Sequence, residues 1–118
     1  MALTISIWHN PRCGTSRRAL ALLEEHGVTP VVRNYLTEPP SEAELRAALS
    51  LLNRSPRDIL RWKEDATREA GLTPESDDDA LIAAMVAHPI LIERPIVFSE
   101  TRAVLGRPAE AVLEVLAP

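Results

Sequence analysis

Residues 3–35 read LTISIWHNPRCGTSRRALALLEEHGVTPVVRNY, and the order of patterns inside this stretch decides the fold. Residues 3–8 alternate and include two isoleucines, the period of a half-buried strand. The loop HNPRCG breaks that period, and an apolar-periodic stretch begins after it. The spacing predicts a helix over 15–26, with Leu20 and Leu23 on its inner face and Gly27 at the C′ position where left-handed backbone is wanted. Residues 31–35 follow at once as a second strand. Two strands joined by a helix of this length form a right-handed βαβ unit with parallel strands.

Working outward, the double proline Pro39-Pro40 opens a different region. Ser41 with Glu44 three residues on makes a capping box ahead of Leu45, Ala48, Leu49 and Leu52. Ser55 followed by Pro56 repeats the start signal for a shorter helix carrying Ile59 and Leu60. Asp77, Asp78 and Asp79 place carboxylates at the positive end of another helix, whose Leu81, Ile82, Met85 and Val86 fall three and four apart until Pro89 stops it. Residues 90–92, 96–98 and 103–105 are short β-branched runs. Pro108 sits where a final helix would begin and bury Val112, Leu113 and Leu116. The order β-α-β, then helices, then β-β-α is that of an α/β, thioredoxin-like mixed sheet with a helical block, about 38–89, inserted between its halves. One domain over 1–118 is expected, with no repeat, low-complexity tract or linker.

Composition narrows the function classes. The chain has 118 residues, 46% of them hydrophobic and 25% charged, the ordinary globular balance, so disordered and fibrous classes drop out. A formal charge of −4 with only 3% aromatic residues (Trp8, Tyr35, Trp62 and Phe98) argues against gripping nucleic acid. The longest apolar run, 80–87, is far too short for a membrane span. MALTISIW lacks a basic n-region and a cleavage signature, so it reads as the first element of the fold, and a cytoplasmic location is expected. Oligomeric state is not readable, and a monomer is the default.

A single cysteine, Cys13, cannot close an internal disulfide or supply a structural zinc cluster, so no metal is expected. Cys13 lies in the turn from strand to helix, where free backbone N–H groups and the helix dipole can pull a thiol well below its usual value of about 8.5. The N–H groups of Gly14, Thr15, Ser16 and Arg17 would also cradle an anion brought to that thiolate. Alternatively the cysteine is a small buried hydrophobe. His9, four residues earlier, can donate a hydrogen bond, lend positive charge, or merely tie the backbone. Ser16 completes a C-x-x-S arrangement, which removes the resolving sulfur of a dithiol motif. A cysteine-phosphatase loop needs an Arg six positions after the Cys, and Ala19 stands there. Arg12, Arg17 and Arg18 make a basic collar around the thiol or simply a charged helix surface. Arg61, Arg94 and Arg107 stand out by context, and Pro95 and Pro108 push the last two toward extended backbone.

The segments HNPRCGTSR, ILRWKE, HPILIERPIV and GRPAEAVLE, in this order and spread over nearly the entire chain, resemble the glutaredoxin-linked arsenate reductase family, most closely its short members. The resemblance implies a thioredoxin-like fold with a helical insertion that reduces arsenate to arsenite at the expense of glutathione, with a glutaredoxin as partner and no bound cofactor. It puts the nucleophile on Cys13 and the histidine that assists its ionisation on His9. It puts the oxyanion-binding arginines on Arg61, Arg94 and Arg107, beside the turn amides of Gly14, Thr15 and Ser16. Asn10 shapes the loop, and Pro95 matches the proline that such folds place cis beside the reactive cysteine. Two rival readings follow from the same residues. One is a thiol oxidoreductase of this fold acting on another substrate. The other is a binding protein like the transcription regulators of the fold, whose usual C-x-x-C switch is C-x-x-S here.

Overall fold

A computed structural model describes residues 4–116. The chain forms two compact units, one from residues 1–38 with 94–118 and one from 39–93.

The first unit carries the sheet. Strands β1 (Ser6–His9), β2 (Val31–Asn34), β3 (Ile96–Phe98) and β4 (Ala103–Leu105) lie in the order β2-β1-β3-β4. β1 pairs parallel to β2, with Ile7 opposite Val32 and Trp8 opposite Arg33. β1 runs antiparallel to β3, and β3 to β4. Helix α1 (Gly14–Glu25) follows β1. The period-2 pleat sends Ile5 and Ile7 into one core with Ala19, Leu22 and Leu23 of α1, Val97 of β3, and Ala109, Val112 and Val115 near the end of the chain. On the opposite pleat Trp8 packs its ring 5.0 Å from that of Phe98, with the Arg33 guanidinium 5.9 Å from the Trp8 ring centroid. This is the mixed, thioredoxin-like sheet that the pattern implied.

The second unit is helical: α2 (Glu42–Leu52), α3 (Pro56–Ile59), α4 (Asp65–Glu69) and α5 (Asp78–Ala87). The Ser41 hydroxyl accepts the Glu44 N–H at 3.1 Å while the Glu44 carboxylate accepts the Ser41 N–H at 3.0 Å, the full capping box. Asp77 caps α5 by accepting the Ala80 N–H at 2.8 Å. Among the described residues no helix is long and apolar enough to cross a membrane.

Several boundaries move. β1 begins at Ser6, not at residue 3, which lies outside the described residues, and it extends to His9. β2 stops one residue early, at Asn34. α1 starts at Gly14 and ends at Glu25, with Gly27 at φ 79° as the left-handed residue after it. Leu22 and Leu23 are the buried leucines of α1, and Leu20 packs half-buried against the same core. Residues 90–92 do not extend as a strand. Pro89, with fixed φ and no N–H, opens a 3₁₀ turn over Pro89–Leu91, leaving Ile92 to form a single bridge to Leu60.

The terminal segment Ala109–Leu116 is a 3₁₀ helix rather than an α-helix. Three residues per turn aligns Ala109, Val112 and Val115, and these are the buried positions. Leu113 and Leu116, the inward residues of the expected α-helix, pack half-buried at the edge of the same core.

Candidate active site

The turn between β1 and α1 is built by Asn10. Its backbone carbonyl accepts the Cys13 N–H at 3.0 Å, and its Oδ1 accepts the Arg12 N–H at 2.9 Å, an Asx turn that closes the loop ahead of the helix. Asn10 itself is buried. Cys13 then stands at the N-cap of α1 with extended backbone, φ −96° and ψ 122°.

Cys13 is half-buried. It makes no capping hydrogen bond through its side chain, yet the backbone N–H groups of Ser16 and Thr15 favour its thiolate. Burial is the largest single influence on this thiol and pushes it up. The Ser16 N–H, the hydrogen bond and positive charge of Arg94, and the Thr15 N–H together outweigh burial, so the thiol lies below its ordinary value. The cradle is narrower than Gly14 to Arg17, because the Arg17 N–H is spent on the Cys13 carbonyl at 3.0 Å in the first helical bond.

The basic collar is also thinner than the sequence suggests. The Arg17 side chain donates to the Pro11 carbonyl at 2.8 Å, and Arg18 lies 3.6 Å from the Glu25 carboxylate.

Arg94 approaches Cys13 from the segment before β3. Among the described residues, neither Nε nor NH1 of its guanidinium has a hydrogen-bond partner, although both atoms are buried. Buried charged donors without partners are costly, and an anion would satisfy them. The Arg94–Pro95 peptide is cis. Arg107 donates from NH1 to the Arg94 carbonyl at 3.0 Å, so it holds the backbone from which the Arg94 side chain springs.

His9 is buried with its Nδ1 2.7 Å from Ser16 Oγ. Desolvation, and then the nearby charge of Arg17, lower its pKa. A positive ring is thereby disfavoured, and His9 meets α1 as a neutral imidazole.

Arg61 belongs to the second unit. Its guanidinium pairs with the carboxylate of Glu64 and lies 3.8 Å from that of Glu93. Its backbone N–H donates to the Leu91 carbonyl at 2.7 Å, and its carbonyl accepts the Thr67 hydroxyl at 2.8 Å. The first unit thus brings Cys13, Thr15, Ser16, His9, Asn10, Arg94, Pro95 and Arg107 into one neighbourhood, and Arg61 stands in a neighbourhood of carboxylates. Among the described residues no cluster of histidine, cysteine, aspartate and glutamate could hold a metal ion.

One residue of this neighbourhood carries no chemical group and was not singled out from the sequence. Gly106 donates its N–H to the Pro95 carbonyl at 2.8 Å, and a Cβ there would lie 2.6 Å from Pro95 Cγ and 2.7 Å from Val112 Cγ1. Only a glycine lets the backbone approach Pro95 this closely. Its signal was its place beside Arg107 in GRPAEAVLE. The Arg107–Pro108 peptide is cis as well.

Residues 8–115 match the model of the ArsC family. The chain belongs to the ArsC family. It is 46% identical to an arsenate reductase of Neisseria meningitidis serogroup B over 95% of this chain and 97% of that protein. It is 47% identical to the uncharacterized protein YfgD of Escherichia coli K12, over 98% of this chain and 99% of that one. Among solved structures, an arsenate reductase from Vibrio cholerae superposes with a TM-score of 0.93 at 45% identity, covering 98% of this chain and 99% of that chain. This ArsC-family member therefore shares fold and length with relatives named for arsenate reduction and with one whose name assigns no substrate.

Proposed function

We propose that this protein reduces arsenate to arsenite, with Cys13 as nucleophile and glutathione and a glutaredoxin as reductants. The observation that carries the reading is a thiol held below its ordinary value beside an arginine whose buried Nε and NH1 have no partner among the described residues. Family membership and relatives named arsenate reductase support it.

Arsenate presents oxygens that a guanidinium fork holds bidentately, which offsets the charge that would repel an incoming thiolate. Arg94 is the principal donor in this scheme, with the amides of the α1 turn beside it. Arg107 holds the Arg94 backbone, and the oxyanion role that the family resemblance implies for it is kept. Arg61, whose charge already meets the Glu64 and Glu93 carboxylates, takes the smaller share of the oxyanion role that the family resemblance implies.

The Cys13 thiolate attacks arsenic, an S–As bond forms, and a protonated arsenate oxygen leaves as water. Glutathione thiolate then attacks the Cys13 sulfur. The S–As electron pair departs with arsenic, which leaves as arsenite, and Cys13 is left as a mixed disulfide with glutathione. A glutaredoxin thiolate attacks the glutathione sulfur and returns Cys13 as thiolate. The lone thiol of the chain makes an external reductant obligatory. The proposal places this cycle in the cytoplasm, where glutathione is kept reduced, and assigns it to a monomer without bound cofactor.

The test is arsenate-dependent NADPH consumption with glutathione, glutaredoxin and glutathione reductase supplied. Turnover in the wild type that disappears in Cys13→Ser is expected. A wild type without turnover whose Cys13 still alkylates well below the ordinary thiol range would transfer the same machinery to another thiol-linked substrate.

A further inference from the structure

Ser16 has no exposed surface. A buried hydroxyl is costly unless each of its hydrogen-bonding groups is used. Its Oγ accepts the Asn10 backbone N–H at 3.1 Å and lies 2.7 Å from His9 Nδ1. The hydroxyl therefore ties two consecutive residues at the end of β1 to the first turn of α1. Between the tied points lies the loop that carries Cys13.

The position matters because it is the third after the thiol, where a dithiol motif carries its second sulfur. Here the side chain turns to His9 and Asn10, while the backbone N–H of the same residue favours the Cys13 thiolate. One residue thus holds the loop with its side chain and stabilises the thiolate with its main chain.

The hydroxyl also decides where the imidazole proton sits. Ser16 has one proton to donate. Among the described residues its hydroxyl meets only the Asn10 N–H, which is itself a donor, and His9 Nδ1. If Nδ1 carried the ring proton, the hydroxyl proton would be buried without an acceptor. The satisfied arrangement has Ser16 donating to Nδ1 and the imidazole proton on Nε2. The charged neighbours agree with a single ring proton: Arg17 of α1 bears on His9, and Arg94 before β3 bears on Cys13.

We propose that Ser16 is a positioning residue for Cys13, whose hydroxyl clamps the end of β1 to the first turn of α1 and holds His9 as the Nε2–H tautomer. The proposal rests on reading Cys13 as the reacting group but not on which substrate it attacks.

The test has two readouts, neither of which uses arsenate. Long-range ¹H–¹⁵N spectra of the wild type are expected to show His9 with a bare Nδ1 and a protonated Nε2. An Nδ1–H tautomer would overturn the proposal without any variant being made. The second readout is the rate of Cys13 alkylation by iodoacetamide against pH, in the wild type, Ser16→Ala and Ser16→Thr, each first confirmed as folded by circular dichroism. In Ser16→Ala the inflection is expected to move upward, and a rise of about one unit would slow alkylation about tenfold below the inflection. Ser16→Thr, which keeps the hydroxyl, recovers part of that rate. A folded Ser16→Ala with the wild-type inflection would show that the side chain does not position the thiol. If turnover on arsenate is absent while these results hold, the substrate reading fails and the positioning role stands.

Discussion

Arg94, in the unit of 1–38 and 94–118, is used in the opposite way from the arginines of the 39–93 unit. In the 39–93 unit, Arg46 meets the carboxylates of Glu42 and Asp79 at 3.1 and 2.8 Å, Arg57 that of Asp78 at 2.8 Å, and Arg61 and Arg68 those of Glu64 and Asp65. These guanidinium groups stitch helices and turns together, and their charge is answered locally. In the unit of 1–38 and 94–118, Arg94 has buried donors that no described residue answers, beside a thiol that its charge helps ionise. An answered arginine supports structure, whereas a buried unanswered one leaves a place for an anion. The difference separates a site from a surface where counting arginines does not.

Arg94→Ala and Arg61→Ala in the coupled assay test that contrast most severely. Loss of a buried oxyanion donor costs about 10²–10³ in turnover. Arg94→Ala is expected to fall in that range and also to move the Cys13 alkylation inflection up. Arg61, whose charge already answers Glu64, is expected to cost less than Arg94 and to leave the inflection in place. Equal effects of the two on both readouts would erase the distinction between the units.

Gly106→Ala tests whether the site unit depends on the close approach to Pro95. The added Cβ would meet Pro95 Cγ at 2.6 Å and Val112 Cγ1 at 2.7 Å. Thermal unfolding is expected to show a loss of about 1–3 kcal/mol, the cost of overpacking, accompanied by reduced turnover. In the helical unit the matching local change, Ser41→Ala, removes one hydrogen bond of the capping box. It is expected to cost about 1 kcal/mol with turnover at saturating arsenate little changed.

A smaller effect belongs to His9 in the site unit. The folded pKa of His9 is lowered by burial and by Arg17, so the unfolded chain takes up the proton first as pH falls. The associated stability is fully present above about pH 6.5, the unfolded value, and is lost as pH falls from there through the folded pKa. His9→Gln is expected to flatten that part of a Tm-against-pH curve, and an unchanged slope would remove His9 from it.

What was legible in the sequence follows the range of the interactions. The Ser41 and Glu44 capping box, the carboxylates of Asp77, Asp78 and Asp79 at the start of α5 and the left-handed Gly27 are settled within a few residues, and each appears where its pattern put it. The strand-turn-helix around Cys13 was readable for the same reason. The terminal segment was not, because its apolar residues fit either helical period and packing of Ala109, Val112 and Val115 selects the tighter one. Likewise 90–92 carries β-branched residues, but Pro89 imposes the turn. At the site, Cys13 and Arg94 were legible as residue types in context, while the Arg94 donors that no described residue answers, the tie between Ser16 and His9, and the contact of Gly106 with Pro95 join residues distant in sequence or turned in ways that spacing does not encode.

The most direct measurement of an anion held by Arg94 at the Cys13 thiolate is protection of that thiol. Cys13 alkylation by iodoacetamide, a neutral reagent, is followed at fixed pH and ionic strength with increasing arsenate, in the wild type and in Arg94→Ala. Saturable protection in the wild type that is lost in Arg94→Ala is the expected result. Alkylation indifferent to arsenate in the wild type, or protected equally in both proteins, would contradict it.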